Sequence, residues 1–423
     1  MKVRPSDTLL VPIVILILNC LSAIGAAQDR DPDSETIENS LRFTQGIVVT
    51  PSRREESIAK VSAPVTSVTL DELKRSTARD IPELLRSHAG VHVADITGNR
   101  RNYRIDLRGF GETASSNTLV LIDGRRATLP DLSGTDWLQI PLRRVDRIEV
   151  TRGGRGSVLY GDNATAGAIN IITKNRTDTE RTLSLQAGSY SSFNVATSLN
   201  GSTSGLSYAI DGSYNTSDGY RDNGDTNGGD LGASFTVTPN QRLNIFISAG
   251  LHSDVTGLPG ELKESDLMTG SLRRSTLKPG EFAEVDDVYV IARPNILLGD
   301  FALAQIDFSF RQRDAAFFSS FAGGTFNGNT TIDTFTISPQ INVSGPVGQL
   351  SNTLVVGVDA SRSTENILNT TVFDETETVG MFTLKKQNSA FYLHDELFPH
   401  SRLGISGGYR YDDVDYHFQP SSP

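Results

Sequence analysis

The sequence predicts an all-β transmembrane barrel that follows a smaller N-terminal α+β domain. Three observations indicate this class. A signal peptide starts the chain, and no later apolar run approaches the length of a membrane-spanning helix. From about Glu180 onward, polar and apolar residues alternate in strands that short and long connections join in turn. A membrane barrel needs that rhythm, with tight turns at one end and longer loops at the other, whereas a soluble sandwich does not.

The first 27 residues read as a secretory signal peptide. Lys2 opens a basic stretch, Leu9–Leu18 is a ten-residue apolar core, and Gly25 and Ala27 are the small residues of a cleavage site. Ten apolar residues are too few to span a bilayer. The alternative is a lipoprotein signal that ends at Cys20, which the preceding asparagine disfavours. Cys20 is the only cysteine, so intrachain disulfides and thiolate metal sites are excluded.

The charge of the chain is divided unevenly. The formal net charge is −11, which disfavours nucleic acid as a partner. Between Leu41 and Arg176, 21 Lys and Arg face 15 Asp and Glu, whereas the remainder of the chain holds 18 against 35. A basic module beside an acidic one predicts that the two modules contact each other.

Before the first domain lies a polar, acidic, aperiodic segment over residues 28–44, which reads as a flexible tether. It is followed by Gly46–Pro51, a short β-prone run that a proline ends. An extended, unpaired, β-branched strand of this kind can add its main chain to the sheet edge of a partner.

The N-terminal domain alternates short strands, one short helix and polar loops. Asp80, with Glu83 three residues later, predicts a helix start, and Gly90 predicts its end. Asp123-Gly124 predicts a hairpin turn. The predicted strands are Val65–Leu70, Val91–Ala94, Tyr103–Arg108, Leu119–Ile122, Arg147–Thr151 and Ala168–Thr173, and the long polar loops are Asp95–Asn102 and Ala127–Trp137.

The second part of the chain predicts eleven strands between Arg181 and Tyr416. Leu206–Tyr214, Leu243–Leu251, Thr353–Ser361 and Leu403–Tyr411 show the alternation best. The predicted short connections are Ser202–Gly205, Pro239–Gln241, Leu298–Asp300, Ser344–Gln349 and Pro399–Ser401. The predicted long ones are Asp218–Gly229, His252–Phe282, Asp314–Asn329 and about Leu368–Lys385.

The stretch Val145–Lys174 (VDRIEVTRGGRGSVLYGDNATAGAINIITK) carries a family resemblance. Together with RIDLRGFG at Arg104–Gly111 and LVLIDGRR at Leu119–Arg126, it closely resembles the plug domain of TonB-dependent outer-membrane receptors. The resemblance covers Gly46 to about Asn175, with several motifs in the family's order.

This resemblance implies a domain division and a barrel of 22 strands, of which about eleven are present. The expected segments are a signal peptide at 1–27, a tether at 28–44, a TonB box at 45–51, a plug at 52–176 and a partial barrel at 180–423. A C-terminally truncated receptor is therefore expected. Such a sheet would leave two long edges unpaired, so we expect residues 1–423 alone neither to insert stably nor to transport.

The implied function is active import of a scarce, large ligand across the outer membrane of a Gram-negative bacterium. The ligand would be of the iron-siderophore or cobalamin type, and the partners would be TonB, membrane lipid and the barrel assembly machinery. No enzymatic activity, cofactor or metal site is expected. The alternatives are a surface adhesin that needs no energy coupling and a non-functional receptor fragment. The residues expected to bind TonB are Ile47, Val48, Val49 and Thr50.

Residues in the two polar loops are the candidates for ligand contact. The resemblance implies that these loops touch substrate; the candidate side chains are Asp95, Asn99, Arg100, Arg101, Asp131 and Trp137. For Arg100 and Arg101 a contact with the barrel wall stays equally open.

Other residues are expected to shape the plug rather than bind ligand. The glycines relieve backbone strain, and acidic residues of the wall are expected to pair with Arg104, Arg108 and Arg152. The structural set is Gly109, Gly111, Asp123, Gly124, Arg152, Gly153 and Gly161. The run Gly109–Ala114 also matches the dinucleotide-binding pattern, but too few residues precede the next strand for the helix that a bound pyrophosphate requires.

Overall fold

The structure is a computed structural model, and it describes most of the chain after residue 46. The described residues are 47–48, 53, 56–57, 64–88, 90–96, 103–131, 133–174, 179–268, 270, 272–347, 350–400 and 403–421. The predicted signal peptide and tether lie outside them, as do Val49, Thr50, Asn99, Arg100 and Arg101.

A mixed five-stranded sheet organises the N-terminal domain, which we call the plug. Its strand order is β3-β8-β9-β6-β7, with β6 and β9 parallel and the other neighbours antiparallel. Two further strand pairs, β1 with β2 and β4 with β5, are antiparallel. The bounds are β1 Ile47–Val48, β2 Glu56–Ser57, β3 Val65–Val68, β4 His92–Asp95, β5 Tyr103–Asp106, β6 Thr118–Ile122, β7 Arg125–Arg126, β8 Val145–Arg152 and β9 Gly167–Thr173.

Short helices connect these strands. Helix α1 (Leu70–Arg75) begins at Thr69, whose hydroxyl accepts from the Glu72 backbone while Glu72 accepts from the Thr69 backbone. This reciprocal cap ends β3 at Val68, so the predicted strand to Leu70 was too long. Helix α2 (Ile81–Leu85) starts at Asp80 as expected. The remaining helices are α3 (Arg155–Tyr160), α4 (Glu264–Met268) and 3₁₀ helices at Gly111–Ser116 and Leu142–Arg144.

The plug has its own apolar core. Tyr103, Ile105 and Leu107 alternate onto the buried face of β5, as their spacing predicts. They pack with residues of β6, β8 and β9, including Ile148 and Ile169, which have no exposed surface. A smaller cluster joins plug residues such as Leu159 to two residues of the barrel, Val355 and Tyr392.

The second domain is one antiparallel sheet of eleven strands, β10 to β20, in chain order. The predicted strand count is confirmed. The bounds are β10 Glu180–Ala187, β11 Phe193–Thr203, β12 Leu206–Ser217, β13 Thr226–Asn240, β14 Leu243–Gly257, β15 Phe282–Leu298, β16 Ala302–Phe321, β17 Gly324–Val347, β18 Leu350–Phe373, β19 Thr376–His400 and β20 Leu403–Ser421.

Two of the four predicted long loops are not loops. Strands β16 and β17 pair without interruption as far as Phe321 and Gly324, and β18 and β19 pair as far as Phe373 and Thr376. Both stretches therefore extend as hairpins with two-residue tips. At one tip, Asp374 and Glu375 have φ angles of 48° and 63°, which a tight hairpin turn requires. The polar composition of these stretches reflects exposure on both faces rather than irregular backbone.

The sheet curves around the plug, and alternate residues of each strand face it. Arg313 of β16, Asp359 of β18 and Lys386 of β19 contact plug residues, which fixes the inward positions along these strands. Large apolar residues such as Phe310 and Phe335 occupy positions of the opposite parity and are exposed. No helix among the described residues is long and apolar enough to cross a membrane.

Candidate functional site

The predicted TonB-binding segment begins as a strand. Ile47 and Val48 form β1, which pairs with Ser57 and Glu56 of β2, so the expectation that they are unpaired is wrong. The other two predicted TonB-binding residues lie outside the described part of the chain.

Arg53 anchors the chain just after this segment. Its guanidinium donates to Asp359 Oδ1 at 3.0 Å, to the Tyr392 hydroxyl at 2.7 Å and to the Leu159 carbonyl. The same group lies over the rings of Tyr160 and Tyr392, 4.7 and 4.6 Å from their centres. One side chain thus joins the plug, β18 and β19.

Electrostatics hold Arg53 in its charged form. Burial lowers the pKa of the guanidinium, but Asp359 and the two tyrosines outweigh burial, so the net shift is upward. Its main chain is also fixed, because Gln340 Nε2 donates to the Arg53 carbonyl at 3.2 Å. Sequence reasoning missed this residue. The signal available was a basic pair, Arg53 and Arg54, directly behind a β-prone run.

The predicted Asp123-Gly124 turn is present. The φ angles are 50° and 82°, so both residues adopt the left-handed conformation that this hairpin turn needs. The Asp123 carboxylate accepts from the backbone and the hydroxyl of Thr173, both at 2.8 Å, which ties the turn to β9. From the wall, Arg293 donates to the Asp123 carbonyl.

A second acidic residue organises the glycine turn that follows β5. Asp106 accepts backbone hydrogen bonds from Arg108, Gly109 and Gly111 at 2.8–2.9 Å. Burial alone would raise the pKa of Asp106, but these donors favour the carboxylate and hold the pKa below its usual range. The two glycines have φ angles of 81° and 60°, in accord with a structural role.

The remaining structural candidates lie around α3. Gly153 and Gly161 have φ angles of 98° and 77°, which also agrees with a structural role. Arg152 donates to Thr66 Oγ1 at 2.8 Å within the plug. Burial lowers the pKa of Arg152.

The ion pairs between plug and wall involve residues other than those expected. Arg144 of the plug pairs with Asp211 of the wall at 3.5 Å. In two other pairs the plug supplies the acid: Asp136 pairs with Arg313 at 3.0 Å, and Asp162 pairs with Lys386 at 2.8 Å. These pairs join plug and wall through opposite charges in both senses, whereas the pairing of Arg104, Arg108 and Arg152 with acidic residues of the wall stays a prediction.

The candidate ligand residues divide by burial. Trp137 is 3% exposed and packs in the plug core, so its prediction as a ligand-facing residue is wrong: the loop folds back and buries the ring. Asp131 stays partly exposed and lies near Glu365 of β18. Asp95 ends β4 opposite Tyr103 and is partly exposed.

A cavity of about 710 Å³ separates the plug sheet from the wall. The Asp123–Arg126 hairpin lines one side of it, and residues near the short β15–β16 turn, such as Phe301 and Gln305, line the other. Among its lining residues, Arg53 pairs with Asp359 between plug and wall, and Arg293 pairs with Asp307 within the wall. The plug therefore fits the wall loosely on this side.

The dinucleotide pattern is not a nucleotide site. Its residues Gly109–Ala114 run into a 3₁₀ helix of six residues, Gly111–Ser116. This helix was not expected, but it is too short and too tightly wound to present the α-helix N-terminus that holds a pyrophosphate.

Comparisons with known proteins agree with this geometry. A family model described as the TonB-dependent receptor plug domain matches residues 57–168. The vitamin B12 transporter BtuB of Vibrio cholerae is 38% identical over 160 residues, which is 38% of this chain and 26% of BtuB. The relatives found are transporters and receptors.

Solved structures share the fold over a longer stretch. The unliganded ferric citrate transporter FecA aligns with a TM-score of 0.76 and 16% identity over 86% of this chain and 58% of FecA. The ferric yersiniabactin uptake receptor FyuA from Yersinia pestis aligns with a TM-score of 0.71 and 17% identity over 85% of this chain and 58% of FyuA. The chain thus spans about a quarter of the matched B12 transporter and 58% of these receptor structures. The matched model therefore assigns residues 57–168 to the TonB-dependent receptor plug domain, and the described chain shares its fold with solved outer-membrane receptors.

Proposed function

We propose that this protein serves TonB-dependent import of a scarce, large ligand across the outer membrane. The ligand would be of the iron-siderophore or cobalamin type, as the names of the relatives suggest, and the role is that of a transporter rather than an enzyme. TonB, the surrounding lipid and the barrel assembly machinery are the proposed partners. We also propose the division into signal peptide, tether, TonB box, plug and barrel at the boundaries given above.

The observation that carries this proposal is the position of Arg53. Ile47 and Val48 lie only six and five residues before Arg53, which bridges plug and wall. A pull on the segment would therefore act first on the contacts of Arg53 with Asp359, Tyr392 and the Leu159 carbonyl. Through those contacts, a pull on Ile47 and Val48 would change how the plug is held against the wall.

The test is uptake in cells with and without TonB. Cells that lack their own receptors would express the intact gene that encodes this sequence, as the variant tests below also require, and would be offered labelled vitamin B12, ferric citrate and ferric yersiniabactin. Uptake of one ligand that disappears when TonB is deleted supports the proposal. Folded protein in the outer membrane that takes up none of a wider ligand panel, or takes one up without TonB, contradicts it and favours the surface-protein alternative.

A proline at Val48 tests the TonB-binding segment itself. Capture by strand addition uses main-chain hydrogen bonds, so Val48→Pro is expected to abolish uptake and leave surface binding of the ligand intact. Val48→Ala is the matched control and is expected to be mild. Equal loss of binding and uptake in the proline variant would refute the assignment.

A further inference from the structure

The strands β16 to β19 extend past the plug and form the wall of an open vestibule. Its floor is the plug loop at residues 127–137, which Arg311 holds through the Ala127 carbonyl at 2.9 Å and Arg313 holds through Asp136 at 3.0 Å. From Arg313 to the tip at Phe321 the strand continues for eight residues, about 26 Å at the usual rise per residue. The inner face of this stretch is the surface that a ligand meets above the plug.

This inner face is uncharged and aromatic. The inward parity set by Arg313, Asp359 and Lys386 runs unbroken through the registers of β16 to β19. Above the floor, inward positions hold no Asp, Glu, Lys or Arg in the described stretches 315–321, 324–330, 367–373 and 376–384. Charged residues there, such as Glu377 and Lys385, have the opposite parity.

Four phenylalanines of neighbouring strands meet on this face. Phe317 and Phe326 lie 6.4 Å apart between ring centres, and Phe321 stacks on Phe373 at 6.2 Å. Phe317, Phe321 and Phe373 are 42%, 42% and 57% exposed, so their rings are open to solvent although they face inward. Exposed inward rings offer their faces to apolar or cationic groups.

The floor of the vestibule carries a carboxylate without a partner. Glu365 has inward parity at the level of Arg313 and is 7% exposed. Among the described residues no hydrogen bond or ion pair reaches it, and the charge of Asp131 acts on it. Within the same part of the chain, Asp131 accepts hydrogen bonds only from the backbone and hydroxyl of Ser133. Two neighbouring carboxylates, one of them buried, favour a cation or a hydrogen-bond donor between them.

We infer that the ligand is uncharged or cationic, with an apolar ring surface and donor groups, rather than an anionic chelate. In this arrangement the donors face Asp131 and Glu365, and the ring surface packs on Phe317, Phe321, Phe326 and Phe373. A polyanion would meet like charge at Asp131 and Glu365 and would find no cation on the inner face of β16 to β19 above them. This inference rests on the proposed import function and narrows its substrate class.

A matched pair of probes tests the preference without knowledge of the natural ligand. Phenyltrimethylammonium and benzenesulfonate share a ring and differ in charge, and calorimetry on the detergent-solubilised full chain would give both dissociation constants. We expect the cation to bind on the order of tenfold more tightly. Equal binding, preference for the anion or no binding of either probe would overturn the inference.

Three variants localise the effect. Glu365→Gln keeps the shape of the side chain and is expected to bring the two affinities within about twofold of each other. Phe326→Ala is expected to weaken the binding of both probes. Phe335→Ala, on the outward face of the same strand, is expected to weaken the binding of neither probe. An unchanged preference in Glu365→Gln would contradict the floor assignment. Probe binding needs neither TonB nor energy, so a failure of TonB-dependent uptake would refute the proposed function separately.

Discussion

At the scale of single residues, this plug uses acidic side chains as backbone organisers. Asp106 accepts from three amides of one glycine turn, and Asp123 ties a hairpin to β9. In both cases glycine supplies the positive φ and the carboxylate supplies the acceptor. Because both carboxylates hold backbone turns, these two aspartates are structural residues and not a catalytic pair.

The turn at Gly124 gives a stability prediction. Gly124→Ala places a Cβ in the left-handed region and 2.9 Å from Arg293 Nη2, so we expect a loss of more than about 1 kcal/mol in the free energy of plug unfolding. Gly154→Ala is the control, because Gly154 has an ordinary φ of −67° and open space around its Cβ. Urea titration followed by fluorescence of Trp137, the only tryptophan, measures both. Equal stability of the two variants would refute the turn assignment.

Asp106 gives a prediction about pH. Its pKa in the folded plug is depressed, so its contribution to stability is complete above the unfolded value and disappears as pH falls through the folded value. We expect wild type to exceed Asp106→Asn in unfolding temperature at neutral pH, with the gap closing below about pH 4. Thermal unfolding at a series of pH values measures the gap. A gap that is independent of pH would show that the charge of Asp106 does not matter.

At the scale of elements, the sequence predicted which strands are present better than it predicted where those strands begin and end. Alternation specifies strands wherever one face is buried, so all eleven barrel strands were found. The alternation no longer identifies strands above the plug, because both faces of β16 to β19 are exposed to solvent there and polar residues lie on both faces. The stretches 314–329 and 368–385 therefore read as loops. Likewise Arg53 could not be recognised, since its partners Asp359 and Tyr392 lie more than 300 residues away in the chain.

The extended hairpins predict which loops reach the cell exterior. An epitope inserted between Asp374 and Glu375, at the tip of β18–β19, should be accessible to antibody on intact cells. The same epitope at Gly205, in the short β11–β12 turn, should become accessible only after permeabilisation. Flow cytometry with and without permeabilisation distinguishes the two. Labelling of both sites on intact cells would mean that the sheet does not cross the membrane as its connections indicate.

At the scale of the whole molecule, polar contacts rather than a shared core hold the plug within the barrel. The large apolar cluster lies within the plug, and only a small one reaches the wall through Val355 and Tyr392. Among the described residues the other contacts with the wall include ion pairs, hydrogen bonds and cation–π contacts, beside a cavity of about 710 Å³. Such an interface can release and re-form without exposing a broad apolar surface.

The contribution of polar contacts to holding the plug can be measured at the ion pair Arg313–Asp136. Its atoms are 3.0 Å apart and its side chains 11% and 4% exposed, so each single variant, Arg313→Met or Asp136→Asn, removes this ion pair from a buried setting. A double-mutant cycle should therefore give a coupling energy of about 1–3 kcal/mol for plug release. Trp137, adjacent to Asp136, reports the release by fluorescence in urea. Arg79–Glu83 is the control pair, since its side chains are 70% and 35% exposed and solvent screens them to roughly 0.5 kcal/mol or less. A coupling at Arg313–Asp136 no larger than at the control would show that the plug is held mainly by its apolar contacts and its fit to the wall.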